Sequence, residues 1–224
     1  MGVSLTSVEK LKRAVEMARD NKLQLAVHAM GDKAIQTVID VTKDMKPWLT
    51  TMPSVRIEHA SLMTDQMFAE IANSEMNYAL VTQPIFFFAE DESYRHYLSP
   101  AQFKLAYRVK TMLNSQAMLG LSSDAPCTPW AEPDSPFYSI YAAVTRKAAN
   151  DDVVNAEEAI TVPQAILGYT RDGAKIGGFD DNGTLEVGKA ADFVILNDDI
   201  FTVPHDDLKN IHVNETWMAG KRVK

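Results

Sequence analysis

The sequence has only one cysteine, Cys127, among 224 residues. No internal disulfide can form, and a reducing compartment, the cytoplasm, is the default expectation. No run of 18 or more apolar residues occurs, which argues against a helical membrane span. The first ten residues, MGVSLTSVEK, lack the apolar core of a secretion signal. Basic residues are in deficit, 22 Lys and Arg against 30 Asp and Glu for a net charge of -8. That balance offers no electrostatic footprint for nucleic acid or for an anionic membrane surface. Short repeats and low-complexity tracts are also missing. What remains is a chain with 46% hydrophobic content, enough to bury a sizeable core in one large or two small domains.

The hydrophobic period switches repeatedly between strand-like runs and helix-like spacing, the pattern of alternating βα units. TSVEKLKRAVEMARDN opens on a Thr/Ser cap and places Val8, Leu11, Ala14, Val15 and Ala18 on one helical face. LQLAVHA then reads as a buried strand, and a second helix is predicted over about 33–43. SVRIEHA is the next strand, and TDQMFAEIANSE is its Thr-capped helix. NYALVTQP gives the third strand, ending at a proline. IFFFAEDESYRHYL is read as a loop and SPAQFKLAYRVKTMLNSQA as a helix, with MLGLSSDAP the fourth strand. Helices around SPFYSIYAAVTRKAA and TVPQAILGYTRDGAKI follow. From about Phe179 the character changes to GTLEVGKAADFVILN and ETWMAGKRVK, a small β element with glycine turns. The expected division is therefore 1–178 and 179–224.

Three of the four strands end at a residue able to ligate a metal: His28, His59 and Asp124. In a parallel α/β sheet the C-terminal strand ends share one face, so these side chains are placed to converge. Two imidazoles and a carboxylate suit zinc or a similar divalent ion, held at roughly 2.0–2.2 Å. The competing reading is structural: a strand-end histidine held by hydrogen bonds, and Asp124 as a cap or turn residue in SSDAP.

VHAMGDKA, RIEHASL, VTQPIF, SSDAPCTPWAEP and GTLEVGKAADFVILN followed by TWMAGKRV together resemble the metal-dependent amidohydrolases, in the branch of the N-substituted formamide deformylases. The resemblance implies a metal-bearing (β/α)₈ barrel with a small β-sandwich assembled from both chain ends. It makes His28 the fifth-strand ligand, His59 the sixth-strand ligand and Asp124 the eighth-strand aspartate, both ligand and catalytic group. Asp124 would take a proton from a metal-activated water and pass it to the departing amine. The implied substrate is a small amide-like molecule with a non-peptide carbon–nitrogen bond, and the implied cofactor is a divalent metal of the zinc type.

Other residues carry less. Asp32 is expected to cap a helix and Glu58 to form a structural ion pair, while Arg56, Gln83 and Arg108 either shape the pocket or serve structure. His96 lies in the charged aromatic segment, read as a lid or a solvated loop. No function is assigned to His205 or His212. Cys127 follows SSDAP without any cysteine–histidine motif, and the 11 methionines read as core filling. The family's first strand carries an HxH pair, and no HxH occurs in this sequence. With four βα units where a barrel takes about 250 residues, the chain resembles the C-terminal half of such an enzyme, about strands five to eight plus part of the sandwich. Metal binding by this part alone is then expected to be weak or absent. Three readings stay open: the C-terminal part of a hydrolase, a non-catalytic remnant or interaction scaffold, and an autonomous mononuclear enzyme. The expected open, apolar interior of LQLAV, VRI, YALV and MLGL further suggests a homodimer through the half-barrel.

Overall fold

The computed structural model describes residues 4–127 and 132–224. In chain order the elements begin α1 (Val8–Asp20), β1 (Leu25–Ala29), α2 (Asp32–Thr42), β2 (Val55–His59), α3 (Asp65–Asn73) and β3 (Tyr78–Thr82). They continue with α4 (Pro84–Tyr97), α5 (Pro100–Phe103), α6 (Val109–Leu113), β4 (Met118–Leu121) and α7 (Pro136–Thr145). The last are α8 (Val162–Tyr169), α9 (Arg171–Gly177), β5 (Phe193–Leu196), β6 (Val213–Met218) and β7 (Lys221–Arg222). Two compact units result, one of Met1–Thr82 with Leu98–Gly120 and one of Gln83–Tyr97 with Leu121–Lys224.

The first unit is α/β. Its four-stranded sheet has the order β1-β2-β3-β4, and β2 runs parallel to both β1 and β3, as strands joined through helices must. α1 starts where Ser7 Oγ accepts a hydrogen bond from Lys10 N, and it buries Leu11, Val15 and Ala18. The Tyr78 hydroxyl of β3 lies 2.8 Å from Thr42 Oγ1 at the end of α2. That bond identifies the sheet face packed on helices. Leu25, Val55 and Tyr78 lie in one row and Val27, Ile57 and Leu80 in the next. Of these, Val55, Ile57, Tyr78 and Leu80 are buried.

Strand alternation puts the rows Ala26–Arg56–Ala79 and His28–Glu58–Val81 on the opposite face. The expectation of a continuously apolar interior is therefore corrected for β1 and β2. Their apolar residues are spent on the helix side, and the other face carries an imidazole and an Arg56–Glu58 ion pair.

The second unit contains the largest departure from the sequence reading. IFFFAEDESYRHYL is the body of helix α4, not a loop. Pro84 suits a first helical turn, Ile85, Phe86 and Phe87 are buried, and Asp91 pairs with Arg95 one turn on at 2.6 Å. The helix is interrupted at Glu90, whose φ of -125° is non-helical. α4 packs on α7, which is buried along most of its length.

Two other predicted helices are each divided. The first becomes α5 and α6, separated by a left-handed Tyr107. The second becomes α8 and α9, separated at Thr170 with ψ -92°. The tail forms an antiparallel sheet β5-β6-β7 in which Phe193 stacks on Trp217 at 5.5 Å. Among the described residues no helix is long and apolar enough to cross a membrane.

Candidate metal centre

β1 and β2 end side by side, with Ala29 opposite His59. His28 is exposed on the face away from the helices. In a regular strand His59 would point to the other side from its neighbour Glu58, and so away from His28. It does not, because β2 stops there: His59 and Ala60 both take left-handed φ values, +70° and +48°. L-residues enter that region at a cost of roughly 1–2 kcal/mol each, so the surrounding structure must hold them. Ala60 N donates to Ala29 O at 3.2 Å and Leu62 N to Met30 O at 3.2 Å, which ties the bend to the adjacent strand. The bend brings the buried His59 ring edge-on to His28, with centroids 4.4 Å apart and planes at 74°.

Two neighbouring imidazoles are nitrogen donors of the type zinc accepts, and their spacing suits two positions of one coordination shell. They do not complete it. Among the described residues no group of three or more His, Cys, Asp or Glu is arranged to hold a metal ion. The donor chemistry fits a divalent ion, but only as part of a set.

Asp124 belongs to the second unit. It is exposed and left-handed at φ +52°, and its carbonyl accepts from Cys127 N at 2.9 Å in a turn. The strand end leading to it is anchored twice. Gln83 donates through Nε2 to Ser122 Oγ at 2.8 Å, and the Tyr169 hydroxyl donates to Ser122 O at 3.1 Å. Burial pushes the Tyr169 phenol above its ordinary pKa, which keeps the hydroxyl protonated as a donor. The segment 128–131 of the SSDAPCTPWAEP motif lies outside the described residues.

Secondary candidates sort mostly into structure. Glu58 pairs with Arg56, as its sequence position suggested, but on the face of His28. Arg108 donates to Asp65 at 2.7 Å and stands over the Phe68 ring, which braces the start of α3. Asp32 is not the cap of α2: Gly31 occupies that position, and Asp32 Oδ1 accepts from Lys33 N in the first turn. His96 sits on α4 against Tyr97 at 4.7 Å. His212 takes part in a backbone bond to Asn197 Oδ1, while His205 opens a short 3₁₀ turn. Cys127 is free and exposed. Sequence reasoning named Arg56 and Glu58 separately and did not join them as a pair on the His28 face. The signal for the pair was the two-residue spacing, which puts both charges on one face of a strand.

Residues 1–224 match the profile of the amidohydrolase family. The chain is 29% identical over 226 residues to YtcJ of Bacillus subtilis (strain 168), covering 99% of this chain and 41% of that protein. It is 26% identical over 200 residues to the N-substituted formamide deformylase of Arthrobacter pascens, covering 88% of this chain and 36% of the enzyme. Among solved structures, an uncharacterized metal-dependent hydrolase from Pyrococcus horikoshii OT3 superposes with a TM-score of 0.74 at 30% identity, over 90% of this chain and 39% of that one. A zinc-bound adenosine deaminase from Xanthomonas campestris shares the fold at 16% identity, with a TM-score of 0.64 over 97% of this chain and 49% of that one. The chain thus spans about two fifths of the length of the curated relatives it matches. On the match along its whole length, the chain belongs to the amidohydrolase family.

Proposed function

We propose that these residues form the C-terminal part of a metal-dependent hydrolase acting on non-peptide carbon–nitrogen bonds of small, amide-like molecules. The observation that carries this reading is the meeting of His28 and His59 at the ends of adjacent parallel strands. The similarity to a formamide deformylase supports the bond type. In this reading the four-stranded sheet is about strands five to eight of a barrel, and the antiparallel sheet is part of a β-sandwich.

His28 and His59 would supply two nitrogen ligands, and Asp124, in the turn that follows β4, a carboxylate. A bound divalent ion of the zinc type would supply Lewis acidity toward the carbonyl and the attacking water. With such an ion bound, Asp124 would serve as the proton-transfer group, first as base toward the water and then as acid toward the departing nitrogen. The sequence contains no HxH pair, so the remaining ligands are assigned to a segment outside these 224 residues. The same feature favours a second reading, a non-catalytic scaffold that retains the two histidines.

Metal content and turnover of the purified chain test both. Zinc or cobalt uptake is expected to be weak and to be lost in His28→Ala and His59→Ala, with negligible amide hydrolysis. Uptake indifferent to both substitutions would remove the histidines from the site. Robust turnover abolished by Asp124→Asn would instead establish an autonomous enzyme.

A further inference from the structure

Across β1, β2 and β3, the row containing His28 also holds Glu58 and Val81. Adjacent strands lie about 4.8 Å apart, so a glutamate at the aligned position can reach a neighbouring imidazole. Glu58, on the strand next to His28, has a hydrogen-bonding side chain, and Val81 does not. Among the described residues, His28 makes a ring contact with His59 and no hydrogen bond.

Glu58 is not free to wander. Arg56, two residues earlier on the same face, pairs through Nε with Glu58 Oε1, and the side chains are only 30% and 23% exposed. Ala26 and Ala79 flank Arg56 in its own row. With methyl groups on both sides, the guanidinium has room to run along its strand toward Glu58. A charge pair withdrawn this far from water is weak evidence for stability, because desolvation offsets much of the attraction. Its position suggests another use.

We propose that Glu58, braced by Arg56, is a positioning residue for His28: it accepts a hydrogen bond from one ring N–H and presents the other nitrogen unprotonated to the site. This rests on the reading that His28 is a metal ligand. The physical logic is that an imidazole can donate its lone pair to a metal through one nitrogen only if the proton resides on the other. A carboxylate partner fixes that tautomer and the ring orientation together. The Arg56 guanidinium, paired with Glu58 Oε1, limits the swing of the carboxylate and leaves its other oxygen for His28.

The test is ¹⁵N spectroscopy of the histidine rings in the purified chain titrated with zinc. Only five histidines need assignment, and His28→Gln identifies the signal. In the wild type, zinc is expected to drive His28 to one tautomer. Glu58→Met should leave a mixture and weaken zinc binding about tenfold or more. Glu58→Gln, which retains a carbonyl acceptor, should fall between the two. The double variant Arg56→Met with Glu58→Met removes both charges together, avoids a stranded one, and should reproduce the single Glu58→Met phenotype even if that protein folds poorly.

A His28 signal that zinc leaves unmoved in the wild type overturns the metal reading, and the proposal with it. A zinc-responsive His28 whose tautomer and affinity ignore Glu58→Met and the double variant overturns the proposal alone.

Discussion

At the scale of single residues, chemistry was easier to read than conformation. His28 and His59 stand out because each follows an apolar run. Their meeting depends on a left-handed φ at His59 that nothing in RIEHASL announces, since the residues holding that bend come from the adjacent strand. Arg146 was passed over entirely, and it is among the largest fully buried side chains. Its Nε donates to Val154 O at 2.9 Å, and its guanidinium lies 4.2 Å from the centroid of the Phe87 ring. Burial pushes its pKa down to about 10, against the opposing pull of Glu158 and Glu157. Arg146→Ala is expected to cost about 3 kcal/mol in urea unfolding, because it removes packing and the bond to Val154 together. Arg146→Met keeps most of the volume and should cost under about 1.5 kcal/mol. Equal losses in the two variants would show that the charge, not the packing, matters there.

At the scale of elements, the caps were legible and the interruptions were not. Thr64 and Thr161 both cap the helices that follow them. In α8, Thr161 Oγ1 accepts from Gln164 N while Gln164 Oε1 accepts from Thr161 N at 2.8 Å. Thr161→Ala should lower stability by about 1 kcal/mol, measured as a shift in urea midpoint at constant slope. An unchanged midpoint would mean that water replaces the cap at no cost. Helix α4 escaped notice because three successive aromatics and a dense run of charges mask a 3.6-residue period. Packing against α7 supplied what the pattern withheld. The divisions at Tyr107 and Thr170 are likewise tertiary. Periodicity continues through both, and only the backbone angles break it.

At the scale of the whole molecule, stability against acid tests the electrostatic links between elements. Glu70 of α3 accepts from Gln66, from Gln36 of α2 and from Lys43 just beyond α2. These bonds, Gln66 first, hold its carboxyl below the ordinary value. A depressed carboxyl stabilises the fold above its unfolded pKa of about 4.3, and that contribution is lost as pH falls through the lower folded value. Glu70→Gln should therefore reduce stability at neutral pH and flatten its decline below about pH 4.5. A decline as steep as the wild type's would exclude Glu70 as a contributor. Asp124, read at a strand end, lies in a turn three residues beyond β4. What the sequence determined by itself was the alternation of strands and helices, the strand-end positions of His28 and His59, and the Ser and Thr caps. All of these are local, set by side-chain period and by hydrogen bonds a few residues apart. Tertiary structure decided which strand face carries charge, that β2 ends by turning His59 onto His28, and that IFFFAEDESYRHYL is helical. Each of these depends on partners distant in sequence, whose contribution to the free energy exists only once the chain has brought them together.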